Sequence, residues 1–147
     1  MSAILHKHEG EFYVIPRELE IAEMLGKSWC GETSGSNDWS PYNPSLGQCA
    51  ITALLIQDIF GGTLLRCEML DCEGKYVGGH YWNKLPGGME VDFTMDQFVH
   101  TNYYPARDTA QERTRQWVLS FPETMWRYGL LLKHFAEVRI EMEDRDE

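Results

Sequence analysis

The sequence predicts an α+β fold in which a buried central helix packs on an antiparallel sheet, with further helices at both ends. Three observations carry that prediction. Residues Cys49 to Phe60 are apolar nearly all round a helix (Ile51, Ala53, Leu54, Leu55, Ile56, Ile59), as befits a helix enclosed by protein, and Gly61-Gly62 closes it. Residues 63–94 hold three strand-like runs separated by turn residues. Helical spacing of apolar residues flanks that block on both sides.

Taken in order, Glu11-Phe12-Tyr13-Val14-Ile15 reads as a short strand. Pro16 suits the first turn of a helix running to about Trp29, with Leu19, Ala22 and Leu25 on one face. Cys30 to Ser45 is a loop rich in Gly, Ser, Asn and Pro that holds Trp39 and Tyr42. Beyond the central helix, Thr63 to Leu70 turns through Asp71-Cys72-Glu73-Gly74 into Tyr76 to Leu85. Pro86-Gly87-Gly88 then leads into Met89 to Thr94. Asp108-Thr109-Ala110-Gln111 reads as a capping box opening a helix to about Leu119. Ser120-Phe121-Pro122-Glu123 reads as a second, opening a helix with a stripe of Met125, Tyr128, Leu132 and Phe135. Repeats and internal linkers are absent, so residues 1–139 read as a single domain and the acidic stretch 140–147 as a disordered tail.

Composition narrows the function classes. A 43% hydrophobic and 24% charged chain is an ordinary globular one. No apolar run approaches the ~20 residues of a membrane span. The opening residues lack the apolar core of a signal peptide, which predicts a cytoplasmic protein whose Cys30, Cys49, Cys67 and Cys72 are reduced. A net charge of −10 argues against nucleic acid or an anionic membrane as the main partner. Residues 105–139 oppose that trend, with six basic groups against four acidic. Arg107, Arg113, Arg115 and Arg127 of this segment are therefore candidates to hold an acidic group on a substrate, against the plainer reading of a basic helical face docked on an acidic core.

A thiol, an imidazole and a carboxylate lie in order at Cys49, His80 and Asp92. A free cysteine is only a few per cent thiolate near neutral pH and needs help to attack a carbonyl. Cys49 stands where the central helix begins, so the unpaired amides and the positive end of the dipole favour its anion. Gly47 lets the chain turn sharply before it, and the Cys49 N–H would face a developing oxyanion. If Lys84 and Gly88 close a three-residue loop, His80 lies directly opposite Asp92, with Cβ atoms roughly 4.5–5.5 Å apart. Sliding that loop by one residue would turn Asp92 to the other face. A third group that orients the base completes a Cys-His-Asp nucleophilic site.

Gly47-Gln48-Cys49, His80-Tyr81-Trp82-Asn83, Gly88 and Val91-Asp92-Phe93-Thr94 together resemble the transglutaminase-like branch of the papain-like cysteine hydrolases. Ser28-Trp29, Glu32-Thr33, Trp39, Asn43-Pro44, Thr52-Ala53-Leu54, Phe60-Gly61-Gly62 and Gln97-Phe98 add a closer resemblance to the small bacterial YunG-type proteins, over roughly residues 20–135. The wider resemblance implies a papain-like or transglutaminase-like core with Cys49 as nucleophile, His80 as base and then acid, and Asp92 as the group that orients His80. It also implies acyl transfer through a thioester on a carboxamide or related group of a small molecule, peptide or protein, with hydrolysis or deamidation ahead of transamidation and no cofactor. For the oxyanion donor and pocket the candidates are Gln48, Trp29, Trp39, Trp82 and Asn83. Papain-type enzymes place a Gln several residues ahead of the cysteine, whereas Gln48 is its immediate neighbour. Trp29 and Trp39 are the upstream tryptophans that a transglutaminase-like site would use.

Two rival classes were weighed. Cys67, Cys72 and His80 lack the second close pair that a structural zinc site needs, so no metal is expected. A non-catalytic module binding a peptide or small molecule on the same fold is the alternative reading, since fold does not guarantee activity. His6, His8, His100 and His134 read as surface or packing residues, and the sequence carries no signal for oligomeric state.

Overall fold

The computed structural model describes residues 5–7 and 16–145, with side chains from Arg17 onward. Its elements are β1 (Leu5–Lys7), α1 (Pro16–Ser28), α2 (Cys49–Phe60), β2 (Thr63–Asp71), β3 (Tyr76–Lys84), β4 (Glu90–Asp92), β5 (Tyr103–Arg113), α3 (Arg115–Leu119) and α4 (Pro122–Arg145). Short 3-10 helices occupy Gly31–Thr33 and Met95–His100. The strand read at residues 11–15 lies outside the described residues.

The architecture is α+β. Five antiparallel strands form one sheet in the order β1-β4-β3-β2-β5. Six consecutive residues of α2, Ile51 to Ile56, are buried, as its all-round apolar sequence requires. The main core joins Ile51, Leu55 and Ile56 of α2 to Ile21, Ala22 and Leu25 of α1, to Val91 and Phe93 beside β4, and to Leu131 of α4. Truncating one such side chain, Ile56 for example, costs about 2–5 kcal/mol.

In α1 the buried face is Ile21, Ala22, Met24 and Leu25, while Leu19 is exposed, so the predicted face is rotated by part of a turn. In α4 the buried positions are Leu131 and Val138, with Tyr128 and Phe135 packed beside them. Met125 and Leu132, expected in that stripe, are exposed. The spacing 128, 131, 135, 138 satisfies the helical period as well as the predicted one, and only the docking of α4 on α1 and α2 selects between them. The same helix continues through Ile140 to Arg145, so this part of the expected disordered tail is helical.

The largest departure lies between residues 103 and 113. Of the helix predicted from Asp108 to about Leu119 only Arg115–Leu119 is helical, as α3; before it runs β5, paired with β2 from Leu64↔Arg113 to Asp71↔Tyr103. A bulge interrupts the pairing between Arg66 and Glu68, and Thr109 within it accepts from the Glu68 N–H at 2.9 Å and donates to the Ala106 carbonyl at 2.7 Å. The hydroxyl read as part of a helix cap thus satisfies an interrupted ladder. Because β5 is the sheet edge, Pro105 is tolerated there.

The β3–β4 hairpin also differs in register. Asn83 pairs with Val91 and Lys84 with Glu90, and the Leu85 N–H bonds to the Met89 carbonyl at 2.7 Å, giving a longer loop than predicted. Carried one residue further, this register sets Asp92 across from Trp82 rather than His80. The slip is by two residues, so the side-chain faces are unchanged and His80 reaches Asp92 along the diagonal.

Candidate active site

The thiol is placed by a tight turn. Gly47 has φ +73°, and a Cβ there would meet the Ser34 Oγ at 2.4 Å and the Ser36 N at 2.7 Å. Ser34 donates to the Leu46 carbonyl at 2.6 Å and the Gly35 N–H bonds the Gly47 carbonyl at 2.8 Å, fixing the turn against the preceding loop. Gln48 follows as a wholly buried N-cap residue whose amide donates to the Cys30 carbonyl at 3.0 Å. Cys49 is then the first residue of α2, half-buried, with its Sγ 4.0 Å from the Gly79 carbonyl of β3. The first N–H groups of a helix have no intrahelical acceptor, so this end of α2 offers the thiol a positive field and free donors.

His80, the next residue of β3, is fully buried. Its Nε2 lies 2.6 Å from Asp92 Oδ2. Phe98 meets the ring edge-on at 4.8 Å between centroids, and Trp82 lies parallel at 5.8 Å, so the imidazole has little freedom to turn. Nδ1, the nitrogen remaining for the thiol, is buried without a hydrogen-bond partner, although Cys49 is near enough to favour the protonated ring. Burial alone would lower the imidazole pKa. The charge and hydrogen bond of Asp92, then Cys49, outweigh it and raise the pKa to about 9.

Asp92 is saturated with donors. Oδ2 accepts from His80 and, at 2.8 Å, from Arg107; Oδ1 accepts from the Thr94 N–H at 3.0 Å and hydroxyl at 3.3 Å. Burial would push this carboxyl up, but His80 and then Arg107 hold it down at about 2. Gln97, also buried, donates to the Thr94 hydroxyl and carbonyl and so braces the turn that carries the carboxylate.

Arg107, named from the sequence as a candidate to hold an acidic group on a substrate, is set by the structure against Asp92. It comes from β5, stacks over the Trp82 ring at 4.8 Å and ties down Asp92. Its partner here is Asp92, and residue 107, which precedes the helix read from Asp108, lies in the edge strand. Arg115 belongs to another network, pairing with Asp58 at 2.8 Å and bonding Gln57 and Tyr128 where α3, α2 and α4 meet. Arg127 pairs with Glu123 one turn away and rests near Gly35. Arg113 lies over the Trp117 ring at 4.8 Å and bonds Gln111.

The oxyanion and pocket candidates separate just as clearly. The Trp29 N–H is committed to the Thr52 hydroxyl at 3.0 Å in the core, and that of Trp39 to the Pro44 carbonyl at 2.9 Å. Asn83 donates to the Ala53 carbonyl inside α2, on the strand face opposite His80. The Trp82 N–H donates to Glu90 at 2.8 Å and its ring forms the floor between His80 and Arg107. The Gln48 amide is held by Cys30. These commitments leave the backbone N–H groups at the start of α2 as the donors beside the thiol.

The other thiols are unlike Cys49. Burial pushes Cys67 up to about 12, Cys72 is exposed on the β2–β3 turn, and Cys30 is half-buried ahead of the Gly31–Thr33 3-10 helix. Among the described residues no group of three His, Cys, Asp or Glu side chains is arranged to hold a metal ion. No helix among them is long and apolar enough to cross a membrane. A groove of about 410 Å³ lies between the 38–46 loop and residues 100–103, with Tyr103 in its lining. Burial, then nearby Cys49 and Asp38, raise the Tyr103 phenol.

The fold is thus an α+β sheet protein in which the start of a buried helix brings a cysteine to a buried His-Asp pair braced by an arginine. Residues 17–139 match the YunG protein family, and the chain belongs to that family. A stretch of 78 residues, 53% of the chain, is 37% identical to a protein of Bacillus subtilis (strain 168) that bears the name "Uncharacterized protein YunG", and it spans 60% of that relative. No solved structure matches the chain.

Proposed function

We propose that this chain is a cysteine acyl-transfer enzyme of transglutaminase-like, papain-like type, with Cys49 as nucleophile, His80 as proton carrier and Asp92 as the group that orients it. The observation that carries the reading is a fully buried His80–Asp92 pair at 2.6 Å whose strand meets the first residue of α2, a cysteine, at the preceding carbonyl. A buried ion pair is costly to desolvate, and a place beside a thiol gives it a use.

The raised imidazole pKa sets the order of events. Near neutral pH His80 carries its proton, so it acts first as the acid and Cys49 attacks as the thiolate. The sulfur forms a bond to the acyl carbon, the oxyanion develops toward the N–H groups at the start of α2, and the carbonyl re-forms as the C–N bond breaks. The departing amine or ammonia takes the His80 proton. Neutral His80 then removes a proton from water, whose oxygen displaces sulfur from the thioester and restores the thiolate–imidazolium pair. Hydrolysis or deamidation is favoured over transamidation, because Cys49 is only half-buried at the start of α2, so water can reach the thioester.

Acylation by p-nitrophenyl acetate, followed by intact and peptide mass spectrometry, tests this reading. An acetyl group should collect at Cys49, disappear in Cys49→Ala and form at least tenfold more slowly in His80→Ala. Acetylation of Cys49 no faster than of exposed Cys72 would overturn it.

A further inference from the structure

We infer that Arg66 and Arg113 form an anion-binding subsite beside the Cys49 thiol, so that the acyl substrate carries a carboxylate close to the carbonyl attacked. This deepens the acyl-transfer reading and rests on it. Gly79 provides the link. A Cβ at position 79 would lie 2.4 Å from both Nε and Nη2 of Arg66, so the guanidinium fills the space a side chain would take and rests against β3. The carbonyl of that same Gly79 is the group that the Cys49 sulfur approaches. Arg66 and the Cys49 sulfur thus meet the same residue of β3, the one at its Cα and the other at its carbonyl.

The surroundings of Arg66 hold it there without neutralising it. Arg66 Nη2 donates to the Tyr76 hydroxyl at 2.8 Å, and the guanidinium carbon lies over the rings of Tyr81 and Trp117 at 5.9 and 5.8 Å. Arg113 approaches the Trp117 ring at 4.8 Å, and its Nε is buried without a hydrogen-bond partner. Among the described residues neither arginine has an ion pair. Both line one polar cavity of about 410 Å³ with Glu68, Asp108, Thr109, Ala110 and Gln111. Glu68 and Asp108 stand exposed, where water and salt screen them, whereas the guanidinium groups are pinned on aromatic faces. Two planar donor forks without a carboxylate partner are suited to bind one.

Paired alkylating reagents test the subsite without a substrate. Iodoacetate and iodoacetamide both transfer carbon to the thiolate with loss of iodide, but only iodoacetate carries a carboxylate. The ratio of their rates at Cys49, followed by peptide mass spectrometry, should fall about fivefold in Arg66→Gln and also fall in Arg113→Gln. Arg66→Lys should retain most of it. The iodoacetamide rate should stay within about twofold, showing that the thiol itself is unaltered. An unchanged ratio in both Gln variants would overturn the subsite. The ratio is readable however slowly Cys49 reacts, so a sluggish thiol would count against the acyl-transfer reading alone. Succinate protection of native Cys49 against iodoacetamide gives a second measurement that does not depend on the variants folding, and its absence would likewise count against the subsite.

Discussion

Asp92 gathers four hydrogen bonds from three residues on one carboxylate, and its replacement has consequences for both chemistry and stability. Asp92→Asn keeps the shape but removes the charge that holds His80 protonated and in one tautomer. Thiol acylation should slow by about three to four orders of magnitude. It should also destabilise the fold by about 3–5 kcal/mol in denaturant melts, because buried His80 and, to a lesser degree, partly exposed Arg107 lose their counter-charge. Arg107→Gln should cost less, about 1–2 kcal/mol, since the side chain is 30% exposed and His80 still faces the carboxylate. Acylation should fall by less than tenfold, with the acid limb of its pH profile moved upward. Cys49, His80 and Asp92 were legible as candidates because each stands in a short recognisable pattern of its own, at a helix start or in a strand. The role of Arg107 was not, because it depends on a strand pairing set by the whole sheet.

At the scale of elements, α1, α2 and the β2–β3–β4 meander could be read because periodicity and turn residues agreed there. Two places could not. The Asp108–Gln111 segment carries a short polar motif that fits a helix cap as well as an edge-strand bulge, and the unpaired edge of β2 decides between them. The phase of α4 is likewise set by what it docks against. That phase is testable: Leu131→Ala should destabilise by about 2–5 kcal/mol, whereas exposed Leu132→Ala should stay within about 0.5 kcal/mol. Equal losses would restore the sequence-based stripe. The turn before α2 makes a further prediction. Gly47→Ala should cost more than about 1–2 kcal/mol, because a left-handed φ and a 2.4 Å contact act together. It should also slow Cys49, whose position depends on that turn. Retained stability and reactivity would mean that the turn is not needed.

For the molecule as a whole, the coupled pair predicts how stability varies with pH. The His80 pKa is raised on folding, so its contribution is complete below the unfolded value near 6.5 and is lost as pH rises through about 9. The Asp92 pKa is lowered, so its contribution is complete above about 3.9 and is lost as pH falls through about 2. Melting temperature should therefore be highest between about pH 4 and 6.5 and decline on both sides. Asp92→Asn should flatten both limbs. A native-like pH dependence in that variant would show that other groups set the profile.

The most direct test of an activated thiol is the alkylation of all four cysteines of the native protein in one experiment, followed site by site by mass spectrometry. Cys49 should react with iodoacetamide near neutral pH at least tenfold faster than exposed Cys72, and His80→Ala should remove most of that advantage at an unchanged fold. Buried Cys67 should stay unmodified until the protein is denatured. A Cys49 that reacts no faster than Cys72, or whose rate is indifferent to His80, would contradict a nucleophilic Cys49–His80–Asp92 centre.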